Sequence, residues 1–211
     1  MMPTERTVIR FVLDILRRLG RLGRGPSVEA GSMHKQIVSD REKAKQIILA
    51  IIQESGGTLY GTTRLYKAFY HAHLFFWKEH KGALSFYPVV HMPKGPGVDQ
   101  GAELIRELRL EGKVGVTQRP AGDYMEDVYK ITNGGTPDLT EAELDSIRKA
   151  LGVVEDKFAR HISAESHGPS FETTVDGQEQ NIYLDTLSDL EFEEMKARQA
   201  RIRDLVSQVF G

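Results

Sequence analysis

The spacing of apolar residues divides the chain into helical segments, the first of which lies near the N-terminus. In residues 5–19 apolar side chains recur at intervals of three and four positions with arginines between them, which predicts an amphipathic helix. Its apolar stripe consists of Val8, Phe11, Val12, Ile15, Leu16 and Leu19. The stretch up to residue 32 is rich in Gly and predicts a linker. We therefore expect residues 1–32 to be an extension that docks on the body of the chain, a second copy, a partner or a membrane surface.

The body of the chain is predicted to begin with a capping box at Ser39–Glu42, which opens a helix that ends at Gly56 and Gly57. The next helix, residues 62–80, is apolar over most of its circumference. At about 100° per residue its polar side chains fall on one narrow face, formed by Arg64, Lys67, His71 and Lys78. Such a helix is buried on several sides, so we predict that it is the central helix and that Phe69 and Trp77 are buried.

The segment after the central helix predicts a small β element. Residues 84–90 contain Pro88 and are expected to form an edge strand or an extended segment, followed by a Pro/Gly turn over 91–99. A β-hairpin is predicted over 111–132, about a Pro-Ala-Gly-Asp turn at 120–123.

Three further helices complete the prediction. The helix over 99–111 turns Leu104, Ile105 and Leu108 inward, and capping boxes at Thr140 and Ser188 open helices over 141–161 and 189–209. The predicted fold is mainly α with a small β-hairpin, a compact helical domain around a central apolar helix. We divide the chain into the extension (1–32), the main domain (33–186) and the C-terminal helix (187–211).

Composition and charge narrow the classes of function. The 211 residues include no cysteine, which excludes disulfides and thiolate metal sites. The chain contains no run of roughly 18 apolar residues, so the sequence predicts no membrane span. Residues 1–137 hold 20 Lys and Arg against 14 Asp and Glu, a net of +6, whereas residues 138–211 hold 8 against 16, a net of −8. Either the two parts attract each other within one fold, or one face is offered to a charged partner.

The histidines of the central helix do not have the spacing of a metal site. His71 and His73 point about 160° apart on a helix, and His73 and His80 are separated by about 10 Å of helical rise. We expect His73 to be partly buried and hydrogen-bonded near Tyr66 and Trp77. The sequence therefore predicts no metal and no cofactor.

The other candidate sites lack the context that catalysis or phosphate binding needs. His161 and His167 lie near Ser163 and Ser166, but no Gly-x-Ser-x-Gly elbow accompanies them. The glycines at 95, 97 and 101 are not followed by the Lys and Ser or Thr of a phosphate loop. We therefore expect no enzyme activity.

The helix over 99–111 followed by a hairpin is also the order of a winged-helix DNA-binding domain. In that helix Arg106 and Arg109 are offset by acidic residues, namely Asp99, Glu103, Glu107 and Glu111. A recognition helix normally presents a positive surface to phosphates. A DNA-binding transcriptional regulator therefore stays as the alternative function.

The order of short motifs along residues 40–185 resembles the Panacea domain, the SocA-like antitoxin domain of bacterial and phage toxin–antitoxin pairs. The motifs are Lys-x-Phe-Tyr-x-Ala-His at 67–73, Gly95-Pro96, Glu-Gly-Lys-Val at 111–114, Tyr-Lys-Ile-Thr at 129–132 and Ser-Ala-Glu-Ser-His at 163–167. Two positions depart from the family's form: Gly97 interrupts Gly-Pro-Val, and Ser163-Ala164 stands where Leu-Ser is usual.

The resemblance implies a cytoplasmic antitoxin that neutralises a cognate toxin by direct binding and can deliver it to a protease. The resemblance implies no catalytic residue. The positions carried over as partner-binding are Lys67, Tyr70, His71, His73, Gly95 and Pro96.

Overall fold

A computed structural model describes residues 30–133, 135–155, 157 and 159–210 of the chain. The predicted helix over 5–19 and most of its linker lie outside the described residues. The chain divides into two units, residues 1–39 and residues 40–211, and the second contains the hydrophobic core. As predicted, the fold is mainly α with small antiparallel β elements. None of the described helices has the length and apolar content needed to cross a bilayer.

The elements follow one another along the chain with short connections. The helices are α1 (Ala30–Glu54), α2 (Thr62–His80), α3 (Gly101–Leu110), α4 (Glu141–Val154), α5 (Ala159–Glu165), α6 (Pro169–Glu172), a 3₁₀ helix (Ile182–Thr186) and α7 (Asp189–Phe210). The strands are β1 (Thr58–Tyr60), β2 (Val89–Met92), β3 (Gly95–Val98), β4 (Val114–Ala121) and β5 (Tyr124–Ile131).

Helix α2 is the central helix, as its periodicity predicted. It packs against α4, β3, α5, β1 and the 3₁₀ helix. Its fully buried side chains include Leu65, Ala68, Phe69 and Ala72, which meet isoleucines of α1 and the apolar face of α4 in one core. Trp77, predicted to be buried, is only half-buried and contacts Tyr183 in a tilted arrangement, with 4.3 Å between ring centroids.

Two small antiparallel sheets lie beside the helices. The first has the order β1-β5-β4, with Thr58 opposite Lys130 and Val114 opposite Ile131, and it contains the predicted hairpin. The second pairs β2 with β3 and was not predicted, since we expected a turn over 91–99. Its strand Gly95–Val98 is buried throughout, because glycine and proline allow the backbone itself to pack closely against α2.

Two predicted helix boundaries are wrong. Helix α1 begins at Ala30, so the capping box at Ser39–Glu42 lies inside a helix that no Pro or Gly interrupts between residues 32 and 54. The predicted helix over 141–161 ends at Val154, and α5 begins separately at Ala159. Arg64 donates a hydrogen bond to the carbonyl oxygen of Lys157 within this break, at 3.1 Å, and so caps a carbonyl outside the helices. The capping boxes at Thr140 and Ser188 are confirmed.

We expect the two aromatic residues of α2 to differ in their contribution to stability. Phe69→Ala removes a side chain with 0% exposure and should lower the free energy of unfolding by about 3–5 kcal/mol. Trp77→Ala should lower it by about 1–2 kcal/mol, because part of the indole already contacts water. Urea unfolding measures both, with Phe86→Ala as the control because Phe86 is 72% exposed. Equal losses at positions 69 and 77 would contradict this packing.

Candidate functional site

Lys67 lies inside the protein although its spacing placed it on the polar face of α2. The residue is 1% exposed, and its Nζ donates a hydrogen bond to the carbonyl oxygen of Pro96 at 2.7 Å. No carboxylate among the described residues forms an ion pair with it. Burial disfavours the charged ammonium and lowers the pKa of Lys67 to about 7.

Gly95 allows the β2–β3 turn to approach Lys67. Its φ of +89° favours glycine, and a Cβ atom there would lie 2.5 Å from Lys67 Nζ, 2.9 Å from Ser166 Oγ and 3.0 Å from His167 Cδ2. A side chain at this position would therefore displace the side chains of Lys67, Ser166 and His167 from the turn.

The Ser-Ala-Glu-Ser-His segment is joined to the same turn. Ser163 Oγ donates to the carbonyl oxygen of Lys94 at 2.7 Å, and Ser166 Oγ donates to the carbonyl oxygen of Ser163 at 2.8 Å. The His167 ring stacks on Phe171 at 4.0 Å, and His91 of β2 stacks on Phe171 at 3.9 Å. This column of three rings links β2 to α6, and neither His91 nor Phe171 was singled out from the sequence.

Tyr70 connects α2 to the C-terminal part of the domain through a carboxylate. Its hydroxyl donates to Asp185 Oδ2 at 2.7 Å, and Ser170 donates to the same carboxylate from its backbone N–H and its Oγ. Burial, together with the Asp185 charge, raises the pKa of Tyr70. The network holds α6 and the 3₁₀ helix against the central helix.

The two histidines of the motif have different surroundings. His73 is buried; its Nδ1 lies 2.8 Å from the carbonyl oxygen of Phe69 and its Nε2 lies 2.8 Å from Ser85 Oγ. Because a carbonyl only accepts, Nδ1 carries the proton and Ser85 donates to Nε2. Burial lowers the pKa of His73 to about 4, so the ring is neutral. These partners replace the neighbourhood of Tyr66 and Trp77 that we predicted.

His71 lies on the other side of α2, and its Nε2 is a buried atom without a hydrogen-bond partner among the described residues. Burial and the nearby charge of Lys67 lower the pKa of His71 to about 4. In the described part of the chain no three His, Cys, Asp or Glu side chains are grouped closely enough to hold a metal ion.

Lys67, Gly95 and Pro96 line a cavity of about 310 Å³, which adjoins a larger, open cavity of about 790 Å³. Both are lined by Thr62, Thr63, Pro93 and Lys94, and the smaller one also by Lys67, Gly95 and Pro96. The larger cavity lies between the start of α2, the β2–β3 turn, the start of β5 and α5. We call these two adjoining cavities the cleft.

The carboxylates that line the cleft are paired with other side chains, whereas the apolar side chains on its rim are exposed to solvent. Glu126, 8% exposed, pairs with Arg119 at 2.7 Å, and Asp127 accepts hydrogen bonds from Thr62 and Gln118. On the rim, by contrast, Tyr124 is 60% exposed and Met125 is 55% exposed. An open surface of this kind is suited to binding a protein segment, because apolar anchors can be covered without breaking existing polar contacts.

The partner-binding positions carried over from the resemblance thus fall into two groups. Lys67, Gly95 and Pro96 meet at the floor of the cleft, whereas Tyr70 and His73 belong to separate buried hydrogen-bond networks. His71 neither lines the cleft nor takes part in one of these networks. Comparison with protein-family models, with curated proteins and with solved structures finds no match to this chain. The resemblance therefore depends on the motifs in the sequence.

The stability contributed by Lys67 should depend on pH. Below pH 7 the ammonium is charged in both states and its burial penalty is fully present. Between pH 7 and the unfolded pKa of about 10.4, only the unfolded state keeps the proton, so folding becomes more favourable as pH rises, by up to about 1.4 kcal/mol per pH unit. We expect the wild type to gain about 1–2 kcal/mol relative to Lys67→Met between pH 7 and 9.

Urea unfolding of both proteins at several pH values measures this difference. Lys94→Met removes an exposed lysine from the β2–β3 turn and controls for the loss of a charge. A difference between wild type and Lys67→Met that stays constant from pH 7 to 9 would show that the amine is solvated.

Proposed function

We propose that this chain is the antitoxin of a bacterial or phage toxin–antitoxin pair and that it neutralises its toxin by direct binding. The observation that carries the proposal is the uncovered apolar rim of the cleft, formed by Tyr124 and Met125. The order of motifs that resembles the Panacea domain supports the class of partner. The proposal assigns no catalytic step to the chain and places it in the cytoplasm.

The rim and the cleft have the features of a protein-binding surface. Aromatic and methionine side chains are enriched where proteins bind one another, and they contribute most when a neighbouring pocket is desolvated around them. Tyr124 and Met125 follow the two-residue turn of the β4–β5 hairpin, whose cross-strand ladder fixes their position over the cleft. A segment of the toxin would lie between this rim and the β2–β3 turn.

Lys67, Gly95 and Pro96 would then act on the partner indirectly. They are buried, so they set the distance between α2 and the β2–β3 turn, which form two walls of the cleft. Delivery of the bound toxin to a protease, which the resemblance also implies, would use a surface that the toxin leaves free.

The alternative function, a winged-helix regulator, has weaker support from the geometry. Arg106 on α3 pairs with Glu103 one turn earlier at 2.7 Å, which reduces the positive charge that this helix could offer to phosphates. A shift of promoter DNA at about 150 mM salt, with a steep dependence on salt, would favour the regulator.

A double substitution on the rim tests the proposed function. Tyr124→Ser with Met125→Ser should weaken binding to the toxin by about 30-fold or more, the factor expected when anchor residues are lost. The fold should remain intact, because both side chains are more than half exposed. The measurements are growth on co-expression with the product of the neighbouring gene, and calorimetry with that purified product.

The matched control is Phe86→Ser, since Phe86 is 72% exposed and does not line the cleft. It should protect growth as the wild type does. If the rim variant protects equally well, the cleft is not the toxin-binding surface; if the wild type gives no protection, the chain is not an antitoxin of that product.

A further inference from the structure

The C-terminal helix α7 carries an apolar line that only its first turns bury. Phe192 is 9% exposed and Met195 is partly buried, but every residue from Arg201 to residue 208 is exposed. The line continues through this exposed half at intervals of three and four residues, with Ile202 at 54%, Leu205 at 46% and Val206 at 49% exposure. We call Ile202, Leu205 and Val206 the α7 stripe.

The α7 stripe is flanked by positive charge. At about 100° per residue, Arg201 lies on one side of the stripe and Arg203 on the other. Arg198 lies in line with the stripe, one turn before Ile202, and Asp204 lies on the far face of the helix. In the part of the chain that the structure describes, none of these three arginines makes an ion pair, whereas Lys196 nearer the body pairs with Glu193. The arrangement is a narrow apolar surface between unpaired cations.

Three occupants fit this surface poorly, two because of their charge and one because the stripe is narrow. A second copy crossing the same exposed half would place arginine against arginine, which is unfavourable. Residues 1–29 contain six Arg against three acidic residues, so the chain's own N-terminal segment is also basic. An anionic bilayer is bound by a broad apolar helix face, whereas the α7 stripe consists of three side chains that are each about half exposed.

We propose that the α7 stripe binds an amphipathic helix of the partner protein whose apolar face is flanked by Asp or Glu. The partner helix lies along α7, covers Ile202, Leu205 and Val206, and pairs its carboxylates with Arg198, Arg201 and Arg203. The inference extends the proposed function, because the partner in question is the toxin. The stripe is a second surface, since no residue of α7 lines the cleft.

The test uses the full chain and two synthetic helical peptides with the same apolar residues, one flanked by Glu and the other by Lys. The Glu peptide should bind about tenfold more tightly, the size expected for a few surface ion pairs, and its affinity should fall as salt rises. Reversing Arg198, Arg201 and Arg203 to Glu should reverse the preference, so that the Lys peptide binds better. Fluorescence anisotropy measures all these affinities.

Two variants separate the stripe from general charge effects. Ile202→Ser with Val206→Ser should abolish binding of the Glu peptide without unfolding the domain, because both side chains are about half exposed. Asp204→Lys changes a charge on the opposite face and should leave the preference for the Glu peptide in place. Circular dichroism checks that each variant keeps its helical content.

Three results would overturn the inference: equal affinity for the two peptides, self-association through α7 in sedimentation, or binding to anionic vesicles that the stripe variant loses. Because the peptide measurement contains no toxin, its failure is distinguishable from failure of the growth assay. Binding of the Glu peptide without protection of growth would refute the antitoxin function and leave the docking surface standing.

Discussion

The hydrogen bond from the buried amine of Lys67 to the carbonyl oxygen of Pro96 is the contact on which the described domain depends most. It joins the centre of α2 to the β2–β3 turn at a point where Gly95 leaves no room for a Cβ atom. An amine without a carboxylate partner is costly to bury when charged, so the pKa of Lys67 falls to about 7 and the neutral form becomes accessible. The walls of the cleft are therefore held by a polar contact inside the core.

Periodicity and capping predicted the elements that a short stretch of sequence specifies. The apolar pattern of α2, the alternation of β4 and β5 and the boxes at Thr140 and Ser188 depend on neighbours a few residues away, and all are confirmed. The β2–β3 hairpin escaped prediction because Gly95, Pro96 and Gly97 have low strand propensity, and the strand is stabilised by packing against α2 instead. Helix α4 also ends at Val154, although the sequence pattern predicted that it continues.

The candidate site could be predicted only in part. The motif at 67–73 marked Lys67, but helical spacing placed its side chain on a solvent face, because a lysine in an amphipathic pattern is usually exposed. Asp185 gave no local signal, since its partner Tyr70 is distant in the sequence, and of the two rings that stack on Phe171 the His91 ring is distant as well. Rings and carboxylates that meet across many residues become visible only when the fold brings their elements together.

Three buried polar side chains of α2 are paired, whereas two groups of apolar side chains lie on the surface. Inside, Tyr70, His73 and Lys67 all find hydrogen-bond partners, whereas outside, the rim of the cleft and the α7 stripe leave apolar side chains in water. Each surface is small, and two or three anchors alone give weak binding. When a partner has bound one of the two surfaces, its second binding segment is held near the other surface at a high effective concentration. Two weak contacts together can therefore give tight binding. Such a division would let the domain bind tightly through two small apolar surfaces instead of one large hydrophobic patch, which would favour aggregation.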